Sequence, residues 1–192
     1  MRLLFATLFT LFVAAAVGLG ATYFALTRGA AFGALRIGVW TAWPKTGTVD
    51  ADPYARAAIA RNGVLPIALG DGVSFSATAD DVGRPLDGRC DVEIEGITPQ
   101  ARFWTLTLYG VNGELVANSV DRHGFTSEEI VRRSDGSFAI TVGPRASAGN
   151  WLPTGGIERY QVALRFYDTA VGVSTKAGRE VPMPSVVTRS CP

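Results

Sequence analysis

Residues 102–110 alternate strictly: Trp104, Leu106 and Leu108 fall on one side, and Phe103, Thr105, Thr107 and Tyr109 on the other. Side chains two apart share one face of an extended strand, so this stretch is a β-strand with large or β-branched side chains on both faces. Residues 160–167 repeat the pattern, with Tyr160, Val162, Leu164 and Phe166 opposed to Gln161, Ala163, Arg165 and Tyr167. Strands of this kind sit in the middle of a sheet, and the remaining segments are expected to frame, cover or anchor them.

The chain of 192 residues is long enough for one domain with a proper core once an apolar start is set aside. Lys and Arg number 18 against 17 Asp and Glu, a formal charge of +1 that gives no electrostatic footprint for nucleic acid. With 22 glycines, 10 prolines and aromatic residues spread throughout, the composition suits a turn-rich β protein. Cys90 and Cys191 are too few for a cysteine zinc site and too far apart for a CxxC redox pair. In an oxidising compartment they read as one disulfide, closing a loop of roughly 100 residues; in the cytoplasm they would be two thiols.

No charge interrupts residues 3–26, which Arg2 and Arg28 bracket. As a helix this run would be roughly 36 Å long, enough to cross a hydrocarbon core of about 30 Å. Ala14, Ala15 and Ala16 offer a small-residue cleavage site for a signal peptidase, but the apolar run continues past them, and its length favours an uncleaved anchor. Arg28, Arg36 and Lys45 lie beyond the span while Arg2 alone precedes it, which leans against export of the C-terminal portion. The short N-terminal tail and the cysteine pair outweigh that count, so the expected location is a bacterial inner membrane, single-pass, with the C-terminal domain in the periplasm. The expected domain plan is residues 1–27 as anchor or signal segment, 28–48 as connector and 49–192 as a β-sandwich.

In the connector, Trp40 and Trp43 are expected to pack against the domain edge rather than to mark a membrane interface. Asp52 then reads as an N-cap, Pro53 as the first helical residue and Gly63 as the stop, giving a short helix whose Tyr54, Ala58 and Ile59 would lie on a sheet face with Arg56 and Arg61 in water. Strand patterns recur at short intervals over 73–78, 90–95, 114–118 and 137–142, separated by turn residues. In 90–95, Asp91, Glu93 and Glu95 form a comb of parallel carboxylates, spaced about 7 Å apart as on a solvated face rather than converging as in a calcium cage. Thr126 and Glu129 have capping-box spacing, compatible with a helical turn or an edge strand. Residues 143–156 read as a loop and 181–187 as a proline-spaced tail. Seven or eight short strands with one amphipathic helix, behind a single transmembrane helix, predict an all-β fold: an antiparallel, jelly-roll-like β-sandwich.

The elements Asp52-Pro53-Tyr54, Ala101-Arg102-Phe103-Trp104, Asp135-Gly136-Ser137-Phe138, Asn150-Trp151-Leu152-Pro153-Thr154 and Arg165-Phe166-Tyr167-Asp168-Thr169 together resemble the bacterial family called domain of unknown function 1214. The similarity extends over about residues 43–191 and has the short, single-domain, membrane-anchored form of that family. The resemblance implies a β-sandwich and no assigned activity. Ala170 stands where the family generally has proline, which implies a less rigid loop at that point.

Candidate chemistry is sparse. His123 lies in the polar stretch Asp121-Arg122-His123-Gly124 with no elbow-like nucleophile beside it, so it reads as an exposed loop histidine. One histidine and two distant cysteines do not make a zinc or copper centre, and no phosphate or dinucleotide loop is present, so no cofactor is expected. The most site-like element is the loop at Asn150 and Trp151, where the amide could bind a ligand and the indole stack on a sugar, or where both could plug the end of the sandwich. Arg102 or Arg165 could hold a carboxylate bidentately, with Trp104 and Asp168 alongside. The expected function is non-enzymatic: an envelope protein, tethered to the membrane by its N-terminal span, that binds a partner protein, an envelope polymer or a small ligand. The alternative is an enzyme acting on a saccharide or small envelope substrate near Trp151.

Overall fold

The computed structural model describes residues 2–27, 34–62, 66–68, 70–171 and 181–192. Helix α1 (Arg2–Thr27) precedes β1 (Leu35–Ile37), β2 (Trp40–Ala42), a 3-10 turn (Pro44–Gly47) and α2 (Pro53–Asn62). Eight strands complete the chain: β3 (Gly72–Ala77), β4 (Asp91–Gly96), β5 (Phe103–Gly110), β6 (Gly124–Thr126), β7 (Phe138–Gly143), β8 (Asn150–Pro153), β9 (Tyr160–Tyr167) and β10 (Ser185–Ser190). Together with β1 and β2 they make a six-stranded sheet in the order β1-β2-β3-β9-β5-β6 and a four-stranded sheet in the order β10-β4-β7-β8.

The two alternating strands, β5 and β9, are neighbours at the heart of the six-stranded sheet, paired antiparallel along their whole length from Phe103 opposite Tyr167 to Gly110 opposite Tyr160. Their inner rows place Trp104 beside Phe166 and Leu106 beside Leu164, and β3 adds Phe75 to the latter. Facing them from the four-stranded sheet are Val92, Ile94, Ile140, Val142, Leu152 and Val186, none of which keeps any contact with solvent. The indole of Trp104 lies 5.1 Å from the Phe138 ring across the gap between the sheets. One continuous apolar core thus holds the sandwich together, each large side chain in it contributing about 1.5–3 kcal/mol by leaving water.

Side chains of residues 2–24 in α1 are exposed on all sides, and Arg2–Ala25 is long and apolar enough to cross a membrane. A helix that is apolar all round and exposed along residues 2–24 fits a single-pass membrane segment or a signal sequence. In α2, the Asp52 carboxylate accepts the Ala55 N–H at 3.1 Å ahead of Pro53, the expected cap. Ala51 and Ala55 are buried and Arg56 is exposed. The side chains of Tyr54, Ala58 and Arg61, and all of Gly63, lie outside the described residues.

Four segments depart from their sequence patterns. Residues 35–42, expected within a connector, form the β1–β2 hairpin, which extends the six-stranded sheet through Thr41 opposite Ser76. Gly38, at φ +58, supplies the turn conformation a two-residue hairpin needs. Trp40 supplies the drive, since its ring is buried and its indole N–H donates to the Pro184 carbonyl at 2.7 Å. The proline-spaced tail carries β10, antiparallel to β4. Residues 114–118 are not a strand, because the Asn118 side chain takes up the backbone of the loop: its amide nitrogen donates to the carbonyls of Val116 and Arg122, and its oxygen accepts the N–H groups of Val120 and Arg122. Finally, the loop between β7 and β9 contains β8, which runs parallel to β7 with Ile140 opposite Asn150, so the sandwich is not antiparallel throughout. A parallel return is feasible over so short a link because β8 backs up only about 10 Å along β7, within reach of residues 144–149.

Three aspartates fasten turns and hold their protons weakly. Burial would raise the Asp80 carboxyl, but hydrogen bonds from the Thr188 hydroxyl and the Arg84 N–H and guanidinium outweigh it, leaving it below its ordinary value of 3.8. The Arg89 side chain pulls Asp87 down to about 2, and the Ser137 hydroxyl and N–H lower Asp135. Each carboxylate binds protons less readily folded than unfolded, so the stability they contribute is complete above about pH 4 and declines as pH falls towards 2. The urea midpoint should therefore drop between pH 4 and pH 2.5. Asp80→Asn should start lower at pH 6 and show a shallower acid decline; an unchanged slope would show that Asp80 is not among the responsible groups.

Candidate functional site

The six residues singled out from the sequence do not converge. Asn150 is buried at the start of β8 and spends its amide on the chain, accepting the Val131 N–H at 2.8 Å and donating to the carbonyls of Val131 and Ala139 at 2.8 and 2.9 Å. Trp151 is half-buried, its indole N–H donating to the Gly143 carbonyl at 3.1 Å and its own carbonyl accepting from Arg122 at 3.0 Å. Trp104 lies in the core. Arg102, Arg165 and Asp168 belong to the opposite sheet, where Arg165 points outward from β9, and Arg102 and Asp168 flank the ends of β5 and β9. Asp168 takes the left-handed conformation at φ +53, with its N–H donated to the Asp71 carbonyl at 2.8 Å.

The strand register shows what lies around Arg165. On the outer face of the six-stranded sheet, one row runs Arg36, Thr41, Ser76, Ala163, Thr107 and Gly124, and the next runs Ser74, Arg165, Thr105 and Thr126. These small and hydroxylated side chains make a flat strip. Aromatic rings bound it at either end: Phe103 against Tyr167, with centroids 5.9 Å apart, and Tyr109 beside Gln161. The two ends are about 20 Å apart along β5. The Arg165 guanidinium lies over the Tyr109 ring, 5.2 Å from its centroid, in a cation–π contact that keeps it low on the surface. Apart from Ala163, the outward side chains of β3, β5 and β9 all retain contact with solvent.

The sequence puts these residues on one face but does not say that this is the open one. Phe103, Tyr109 and Tyr167 were therefore missed as candidates. The signal that could have found them is aromatic weight on both faces of β5, of which only one can be core.

The other sheet is chemically different. Its outward comb is matched by arginines: Arg189 reaches Glu93 at 2.6 Å and Glu95 at 2.8 Å, Arg145 reaches Asp91 at 3.3 Å, and Arg133 reaches Glu95 at 3.4 Å. Among the described residues no group of three or more His, Cys, Asp or Glu side chains is placed to hold a metal. Cys90, just before β4, and Cys191, just after β10, are joined in a disulfide.

His123 borders an open cleft of about 380 Å³ together with Asp121, Arg122, Phe125 and Glu129. It is less exposed than its polar neighbours suggest, with Nδ1 3.0 Å from the Val116 carbonyl and Nε2 3.1 Å from the Asp121 carboxylate. The Arg122 guanidinium lies 5.4 Å from the Phe125 ring centroid, and Glu129 reaches back to accept the Thr126 N–H at 2.9 Å. That last bond reconciles the two expectations for this segment, an edge strand ending at Thr126 and a capping-box glutamate beyond it. The lining residues offer an acid/base pair but no hydroxyl or thiol nucleophile.

This chain is similar to known proteins. A family model described as "Protein of unknown function (DUF1214)" matches residues 71–171, which run from the start of β3 to just past β9. The crystal structure of the VPA0106 protein from Vibrio parahaemolyticus is similar with a TM-score of 0.57 and 23% identity, over 73% of this chain and 36% of that one. An uncharacterised protein from Burkholderia cenocepacia gives a TM-score of 0.44 and 18% identity, over 61% of this chain and 30% of that one. This chain thus spans about a third of the length of these solved relatives. No curated protein matches.

Proposed function

The chain belongs to the DUF1214 family of proteins of unknown function, and from that premise we propose that it is a binding protein of the bacterial envelope, anchored by α1 in the inner membrane, with its β-sandwich in the periplasm. The outer face of the six-stranded sheet is its binding surface. The observation that carries this reading is the open strip of hydroxyls between two aromatic ends, a composition suited to a flat, hydroxyl-rich ligand. The disulfide supports an oxidising compartment, and the apolar helix a membrane tether. With its jelly-roll-like sandwich supplying a rigid platform, the protein needs no moving part to present such a surface.

The test uses full-length protein in detergent micelles and an insoluble envelope fraction. The double variant Tyr109→Ala/Tyr167→Ala should reduce the co-sedimented fraction several-fold, while Arg133→Gln on the opposite sheet should leave it unchanged. Equal binding by all three proteins would remove the sheet face from consideration. A second reading, hydrolysis of an envelope saccharide, has the His123 and Asp121 pair in its favour. It requires that reducing ends appear on incubation with the envelope fraction and that His123→Ala stop their release.

A further inference from the structure

We infer that the ligand of this sheet face is a linear polysaccharide bearing carboxylates along its length. The inference rests on the proposed binding role of the face and goes further by fixing the charge and form of what binds there.

Charge supplies the first step. At the outward positions of the six-stranded sheet the charged side chains are Arg36 and Arg165, and no strand position on that face carries a carboxylate. The carboxylates of the other sheet face outward on β4 and are each answered by arginine. Among the described residues neither Arg36 nor Arg165 has an ion-pair partner. Acidic side chains border this face at two edges: Asp71 and Asp168 stand beyond the strand ends at the Phe103 and Tyr167 edge, and Glu129 accepts the Thr126 N–H at the β6 edge. A ligand's negative charge is therefore favoured towards the Tyr109 end, where the Arg165 guanidinium lies, and disfavoured at the Phe103 and Tyr167 edge and at the β6 edge.

Geometry supplies the second. Arg165, held flat against Tyr109, is limited in the orientations its guanidinium samples, so less freedom is lost when it grips a carboxylate with two parallel hydrogen bonds. Ser74 and Thr105 flank its Cα in the same row, Thr107 stands in the next row towards Tyr109, and these hydroxyls can exchange hydrogen bonds with sugar hydroxyls, acting as donor or acceptor as required. The Cα positions of Arg36 and Arg165 are about 15 Å apart, three strand spacings across the sheet and two residues along it. Two cations on strands three spacings apart, with the hydroxyls of Thr41 and Ser76 on the strands between, suit a polymer with repeated carboxylates better than a single small acid. An extended peptide would seek an unpaired strand edge for its backbone groups, which the middle of a sheet face does not provide.

The test measures binding of full-length protein in detergent micelles to polygalacturonate and to the same polymer with its carboxyl groups reduced to neutral sugars. Polygalacturonate should bind about 10- to 100-fold more tightly than the neutral form, Arg165→Gln should remove that difference, and Arg165→Lys should restore only part of it. The advantage should also shrink as salt is raised from about 50 to about 500 mM, by screening. Thermal unfolding of each variant at the wild-type midpoint serves as the folding control. Equal binding of both polymers, lost in Tyr109→Ala/Tyr167→Ala, would overturn the carboxylate assignment and leave the surface standing. Binding of neither polymer, with envelope binding still sensitive to the aromatic variant, would overturn the polysaccharide. Indifference of every binding measurement to the aromatic variant would overturn the surface itself.

Discussion

Asn150→Ala should destabilise the protein by about 3–5 kcal/mol, the largest effect expected of any single polar substitution here. The reason lies in what alanine leaves behind. Asn150 is the first residue of β8 and is 6% exposed; its side chain satisfies the Val131 N–H and bonds the carbonyls of Val131 and Ala139. Each backbone group deprived of its partner away from water costs about 1–3 kcal/mol. Asn150→Asp, similar in size, should be at least as damaging at neutral pH, because a carboxylate cannot donate and would face two carbonyl oxygens. Urea unfolding of both variants at pH 7 decides the matter. A loss below about 1 kcal/mol in Asn150→Ala would mean that these three bonds contribute little, and would reopen the amide as a ligand contact.

That residue also shows where sequence patterns reach their limit. The central strands were legible because β5 and β9 are long, alternate without a break and carry core side chains on one face throughout. The carboxylate comb was legible for the same reason, since its period of two fixed Asp91, Glu93 and Glu95 on one solvated side. By contrast β1 and β2 have three residues each, too few for a periodic signal, and join the sheet because Trp40 is drawn into a core assembled from residues far away in the chain. β8 is a parallel edge held by side-chain to backbone bonds, and no periodicity encodes those. β10 is specified by its partners: Asp80 accepts from Thr188, Asp81 accepts from the Val186 N–H, and Arg189 pairs with the comb. For the candidate site the gap has one cause. The outward row of β5 and β9 is visible in the sequence, but its openness depends on which face meets the second sheet, and with Trp104 on one face and Phe103 and Tyr109 on the other, local pattern does not choose.

Reduction of the disulfide should cost about 4–5 kcal/mol in the chain-entropy model, because Cys90 and Cys191 are 101 residues apart and their bond removes a long loop's freedom from the unfolded chain. With a urea slope of about 2 kcal/mol/M, the unfolding midpoint should fall by about 2 M. The bridge joins the residue before β4 to the residue after β10 and closes the edge where Ser190 stands opposite Asp91. Cys90→Ala/Cys191→Ala should reproduce the reduced protein, which separates the loss of the cross-link from any effect of the reductant. Within the native state the change should be uneven. β10 is an edge strand whose outer end is otherwise held by the half-exposed pairs of Arg189 and by Ser190 on Asp91, so in the double variant its amides should exchange by local opening, ahead of those in β4 and β7, which should exchange only through global unfolding. In cells the same bond reports the compartment. Labelling with a membrane-impermeant maleimide in spheroplasts should require prior reduction and should mark a membrane-bound chain of full length. Free thiols reached only after lysis would place the domain in the cytoplasm, and the sheet face would then have to be matched to a ligand found there.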